Sequence, residues 1–286
     1  MQLSQGSDYD ISMMSKDELK IAIGWAELEG WNPGVNDSDI FYETDPQGFL
    51  VGKLNQDLIA SISAVRYGNT FGFIGFYIVH PAFRGQGYGI QIWQRALHYL
   101  KNCTIGLDGV VTQQENYKKS GFQLAHRNIR FAGTAQPQGI MDAEIVNLAD
   151  LSFDQVSTYD QMFFPATRDR FLKLWIEQCR SFALGIMQDG NLRGYGVIRP
   201  CHTGYKIGPL NAETQAQAIA LFDALVAKVP IGSEVYLDIP EPNAEAIALA
   251  EMYGMQPAFE TARMYRGCSP ELPLGQIFGI TSFELG

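Results

Sequence analysis

Gly85, Gly87 and Gly89 stand at every second position where an apolar run, "FYIV", gives way to an amphipathic one, "IQIWQRALHYL". Glycine has no side chain and enters left-handed backbone at little cost, so a glycine turn leading into a helix lets backbone N–H groups close on a ligand. The partial positive charge of a helix N-terminus suits an anion there, above all a pyrophosphate. Two common nucleotide sites do not fit. A dinucleotide fingerprint needs GxGxxG directly after a strand, and Ile90 stands where its third glycine belongs, while a Walker A loop needs a GK[ST] ending that this stretch lacks.

The surrounding "YIVHPAFRGQGYG" resembles the GNAT superfamily, the acyl-CoA-dependent N-acetyltransferases, whose signature Arg/Gln-x-x-Gly-x-Gly/Ala reads here as "RGQGYG". Downstream, "YKKSGF" is similar to the family's Tyr-x-x-x-Gly-Phe segment. The resemblance implies Arg84, Gly85, Gln86, Gly87, Tyr88 and Gly89 as the pyrophosphate loop, with the strand backbone of Tyr77, Ile78 and Val79 along the pantetheine arm. It implies acetyl-CoA as co-substrate and acetyl transfer to a primary amine, of a small molecule or a peptide, by direct attack in a ternary complex. Tyr117 matches the tyrosine that in many members protonates the departing CoA thiolate, a task open to a phenol; the competing reading is a packed tyrosine. Where the family often has Asn seven residues before that Tyr, this chain has Val110, a departure that bears on the local backbone bonding.

Attack on a thioester needs a neutral amine, and an alkyl ammonium with a pKa near 10 is mostly charged at neutral pH, so some group or water must take a proton. The strand "FGFIGFYIV" holds no carboxylate. Asp108 in "GLDGV" is the first candidate, on an adjoining apolar strand; a turn-forming Asp before Gly109 is the other reading. Glu43 and Asp45 are weaker candidates, His80 and His126 read as turn or surface residues, and a water chain is the remaining route. Trp31, in "EGWNPGVND", either lines the acceptor pocket or caps the core.

These residues need a framework, and the sequence supplies it twice. "GFLVGKLNQDLIASISAVR" (48–66) and "SFALGIMQDGNLRGYGVIR" (181–199) match at a shift of 133, which also pairs Gly75 with Gly208, Gly121 with Gly254 and Arg130 with Arg263. In the first copy "DELKIAIGWAELEG" reads as a helix, followed by two strands turning at 55–57, a third strand at "FGFIGFYIV", and a helix with Ile92, Trp93, Ala96, Leu97 and Leu100 on one face. "TIGLDGV" reads as a strand, "QQENYKKS" as a short helix stopped by Gly121, and "HRNIRFAG" as a last strand. The expectation is an α/β (α+β) chain of two tandem GNAT folds, 1–134 and 135–286, each a mostly antiparallel sheet flanked by helices. At the common shift "QAIALF" (217–222) replaces the glycine loop and Ala250 replaces Tyr117, so the second copy reads as a degenerate, non-catalytic domain. The tail "PLGQIFGITSFELG" is expected to tie the two together.

A net charge of −10 over 286 residues argues against a nucleic-acid surface. The acid is uneven: 11 Lys and Arg against 13 Asp and Glu give −2 for residues 1–135, whereas 10 against 18 give −8 for the rest, a balance suited to a cationic amine. No apolar run is long enough to span a bilayer, and the N-terminus lacks the marks of a secretory signal, so the expected location is the cytoplasm. Cys103, Cys179, Cys201 and Cys268 are too scattered for a metal or disulfide framework. Two non-enzymatic readings compete: an acyl-CoA-binding sensor and a structural interaction protein.

Overall fold

The computed structural model describes residues 9–140 and 144–286. The first half runs β1 (Tyr9–Met13), α1 (Lys16–Leu28), α2 (Asp37–Thr44), β2 (Phe49–Leu54), β3 (Asp57–Tyr67), β4 (Phe71–Val79), α3 (Tyr88–Tyr99), β5 (Thr104–Val110), α4 (Gln114–Lys119) and β6 (Gln123–Thr134). The second runs β7 (Glu144–Asn147), α5 (Phe153–Asp160), α6 (Asp169–Ile176), β8 (Phe182–Gln188), β9 (Asn191–Pro200), β10 (Tyr205–Ala212), α7 (Gln215–Val226), β11 (Glu234–Pro240), α8 (Ala244–Met252), β12 (Gln256–Arg266) and β13 (Ile277–Gly279). Each expected element of the first half is present. Local chemistry accounts for several of their ends: Ser15 and Glu18 form a reciprocal capping box at the start of α1, and the β2–β3 hairpin turns through left-handed Asn55 and Gln56. Along α3, Ile92, Trp93, Ala96 and Leu100 are buried against the sheet. Among the described residues no helix is long and apolar enough to cross a membrane.

All strands join one sheet in the order β1-β2-β3-β4-β5-β12-β6-β11-β10-β9-β8-β7, with β13 paired to β10. Among the described residues only β4 with β5 and β10 with β11 run parallel. The order reads the same from both ends, with the two halves' last strands exchanged: β12 inserts between β5 and β6, and β6 lies between β12 and β11. The sequence halves therefore do not make two separable sheets. A first-half fragment ending near Gly133 would lack the strand that covers the outer edge of β5.

Two ion pairs lock the exchange. Arg130 on β6 stands opposite Asp238 on β11, and Arg263 on β12 stands opposite Asp108 on β5. Each aspartate is the fifth residue of its seven-residue strand, each arginine binds it through Nε and Nη2, and all four side chains are buried. The halves also share a core below the sheet, where Phe41 of α2 stacks on Trp175 of α6 at 6.0 Å.

The tail crosses the same junction. β13 pairs with β10, and the carbonyls of Ile280 and Thr281 then crowd Gly208 while that of Glu284 crowds Gly75. A Cβ at either glycine would collide with that backbone, which explains why the repeat places glycine at both positions.

Candidate active site

The cleft begins where β4 and β5 part. Their parallel pairing ends at Ile74 with Leu107, so the edges of Gly75–Val79 and Asp108–Val110 beyond it face a cavity of about 630 Å³ instead of each other. On its other side β4 carries a bulge: Gly75 pairs with Ser63 and Ile78 with Ser61, leaving Phe76 and Tyr77 opposite Ile62 alone. Phe76 takes a left-handed φ of 47°, held by the Ser61 hydroxyl donating to its carbonyl at 2.8 Å. Strain at a non-glycine residue here re-aims the strand edge at the cleft.

The glycines divide into two kinds. Gly85 (φ 76°) and Gly87 (φ 88°) are left-handed, and the space a Cβ would take at each is open. Gly87 is the N-cap of α3 and caps nothing with a side chain, so the first N–H groups of that helix are left for a ligand. Gly89 serves packing instead: a Cβ there would press on the Tyr77 hydroxyl and Val79. Arg84 fixes the loop by donating Nε to the Val79 carbonyl at 2.8 Å and pairing with Glu29. Tyr77, Ile78, Val79, Arg84, Gly85, Gly87 and Gly89 all line the cavity. Gln86 and Tyr88 belong to the loop but turn away, Gln86 onto the Ala82 carbonyl (2.9 Å) and Tyr88 onto the rings of Tyr9 and Phe83.

In the second half this machinery is replaced. Eight residues, 80–87, join β4 to α3, but only Glu213 and Thr214 join β10 to α7. "QAIALF" therefore lies inside α7 and does not stand at the loop's place, because the uniform shift slips across this deletion. Thr214 and Gln217 cap α7 reciprocally, using the N–H groups that α3 leaves free, and β13 runs along β10.

Tyr117 lies across the cleft, its ring against Gly109, where any Cβ would collide with it, and 5.5 Å from Trp93. Burial pushes its phenol well above the ordinary value, so it stays protonated. Asp108 lines the same cavity, but three of its roughly four acceptor sites are taken. Arg263 Nε (2.8 Å) and Nη2 (2.6 Å) and Asn128 Nδ2 (2.8 Å) donate to it. Burial raises its carboxyl, and Arg263 opposes that. The second half, without the glycine loop, keeps the matching Asp238–Arg130 pair, so the pair belongs to the strand exchange, and Asp108 stands within β5 and not at a turn.

The other candidates lie elsewhere. Glu43 is held at the surface by Lys16 and Arg170, and Asp45 accepts from Tyr99 and the Arg66 amide. His80 accepts from the Ala82 amide at a turn. His126 is half-buried on β6 beside β12, and its pKa is lowered to about 4 by burial and by Arg263.

The second half completes the cavity with Phe259 and Thr261 from β12 and Phe283 and Glu284 from the tail, four residues the sequence pattern did not single out. Trp31 is a wall residue, and its loop is held from both halves. Arg130 donates to the Trp31 carbonyl (2.8 Å), Lys206 to the Asn32 carbonyl (3.0 Å), and Arg199 grips Asp37 (3.0 Å). The hydroxyl of Thr261 and both carboxylate oxygens of Glu284 are buried without a hydrogen-bond partner.

Residues 17–122 match the model of the acetyltransferase (GNAT) family, and residues 156–279 match a second acetyltransferase (GNAT) domain. The holothin acyltransferase of Pseudoalteromonas sp. (strain SANK 73390) is 34% identical over 272 residues, spanning 95% of this chain and 92% of that protein. The chain belongs to the GNAT acyltransferase family, as two such domains in tandem. Solved GNAT structures share the fold. One from Pyrococcus horikoshii, with a provisional acetyltransferase assignment, superposes with a TM-score of 0.84 at 22% identity, covering 100% of this chain and 98% of that one. A tandem GNAT protein from the clavulanic acid biosynthesis pathway gives 0.64 at 14% identity, covering 92% of this chain and 100% of that one. Among the described residues there is no group of three or more His, Cys, Asp or Glu that could hold a metal ion.

Proposed function

We propose that this GNAT protein transfers an acetyl group from acetyl-CoA to a small primary amine by direct attack in a ternary complex. The observation that carries this reading is the uncapped start of α3 behind two left-handed glycines, beside a strand edge left open by the parting of β4 and β5. Free N–H groups at a helix N-terminus suit a pyrophosphate, and an open strand edge suits the amides of a pantetheine arm. Acetyl-CoA supplies the thioester; the chain's own part is to hold it, to admit the amine and to manage two protons. Tyr117 is the proton donor to the departing sulfur.

Residues 1–134 carry the donor site, and residues 135–286, which lack a donor loop of their own, shape the acceptor side. Trp31, Phe76, Phe259 and Phe283 give that side aromatic walls, which suit a compact amine better than an extended peptide. A relative named for acylating holothin and a fold neighbour from clavulanic acid biosynthesis support a small-molecule acceptor. The four free thiols fit a reducing, cytoplasmic setting.

The test is release of CoA thiol from acetyl-CoA with a panel of small primary amines, aromatic ones included. The expected result is amine-dependent release with at least one of them. Acetyl-CoA binding without release toward any amine would favour a sensor, and no binding at all a structural protein.

A further inference from the structure

We infer that Glu284, carried on the C-terminal tail, is the group that takes the proton from the attacking amine. This rests on the acetyl-transfer reading above. Glu284 is 2% exposed, and both its carboxylate oxygens are buried without a hydrogen-bond partner, although it lines the donor cavity. A buried carboxylate in that state is costly and calls for a use. Its place fits one. The Glu284 carbonyl lies against Gly75, the first residue of β4 beyond the last pair with β5, which puts Glu284 at the mouth of the cleft. Tyr117 rests on Gly109 of β5, so the backbone of Glu284 and the ring of Tyr117 pack against the two strands that border the gap.

The charges facing Glu284 come from several elements: Lys206 on β10, Arg130 on β6, Arg199 on β9 and Asp37 on α2, with Asp238 of β11 bound to Arg130 and Cys201 close to the cations. Arg130 and Arg199 each have their own aspartate, and Lys206, itself lowered by burial and by Arg130, donates to the Asn32 carbonyl, so none of these cations is hydrogen-bonded to the Glu284 carboxylate. Burial pushes the Glu284 carboxyl above the ordinary carboxylate range, with Lys206 as the chief opposing influence. That raises the basicity of the carboxylate toward the working pH, where a general base is most effective.

In the reaction the amine nitrogen bonds to the thioester carbon and gives one proton to a Glu284 oxygen. The C–S bond breaks with its electron pair on sulfur, and Tyr117 gives one proton to that sulfur. The products are the amide and CoA thiol, and solvent carries the proton from Glu284 back to Tyr117 once they leave.

Glu284→Gln keeps the shape and removes the base. Turnover is measured as thiol release with the best amine of the panel and, independently of any acceptor's identity, as slow hydrolysis of bound acetyl-CoA. The expected result is a loss of about 10²–10⁴-fold, with unchanged acetyl-CoA affinity by calorimetry and disappearance of the acid limb that the wild type shows as pH falls through the Glu284 pKa. Wild-type rates and an unchanged pH profile in the variant would overturn the assignment, as would loss of acetyl-CoA binding, which would make Glu284 part of the donor site. A wild type that releases no thiol by either route removes the reaction itself, and the inference with it. Should the Gln variant not fold, Glu284→Asp retracts the carboxylate while keeping its charge. It is expected to be slower with the acid limb retained, and a wild-type rate would equally overturn the assignment.

Discussion

Tyr117 keeps its phenol protonated because burial disfavours the phenolate, and a protonated phenol is what a departing thiolate needs. Tyr117→Phe should lower turnover by about 10²–10⁴-fold while leaving acetyl-CoA affinity unchanged, since only the transferable proton is lost. Comparing kcat with calorimetric affinity checks this, and normal turnover would make Tyr117 a packing residue. The loop residues and Tyr117 were legible because their chemistry is local: glycines that need left-handed backbone, followed by a helix start, are written in one stretch. Glu284 was not, because it reaches the cleft from the far end of the chain, and nothing adjacent to it in sequence says so. A hint did exist in Gly75 and Gly208, paired by the repeat and each placed within a strand, where glycine marks a close backbone approach.

At the scale of elements, the exchanged last strands are held by two buried arginine–aspartate pairs in cross-strand register. Removing one partner strands the other charge in the interior, so Arg263→Met should destabilise the protein by about 3–5 kcal/mol. Adding Asp108→Leu should recover much of that loss, because the uncompensated carboxylate is gone. Urea unfolding of both single variants and the double variant gives the coupling. A double variant no more stable than Arg263→Met would show that the pair does not act as a unit. The strands themselves were readable from their apolar patterns, but the exchange was not: a strand that returns to its own β5 and one that crosses to the other half's β11 carry the same alternation. Two short elements, β1 and α2, also escaped the sequence reading. Each owes its stability to tertiary partners, β1 to its ladder with β2 and α2 to α1 and α6.

For the whole molecule, strand exchange, shared core and threaded tail make two repeats into one folding unit. A fragment ending near Gly133 loses β12 from the edge of β5 and the tail from beside Gly75, so it should expose apolar surface and aggregate. Size exclusion and circular dichroism of that fragment check this, and a soluble, folded monomer would contradict it. The repeat and its degenerate second loop could be read from the sequence, which is why one donor site per chain was expected. The second half has a shortened loop, a self-capped α7 and a tail strand on β10, none of which a uniform shift could display. The most direct measurement is a calorimetric titration of the full-length protein and its Gly87→Val variant with acetyl-CoA. A β-branched side chain cannot comfortably adopt the left-handed N-cap of α3 and would intrude on the space left for the phosphates. The expected result is one acetyl-CoA per chain in the wild type and no binding in a variant shown by circular dichroism to be folded. Two sites per chain, no binding in the wild type, or undiminished affinity in the folded variant would contradict it.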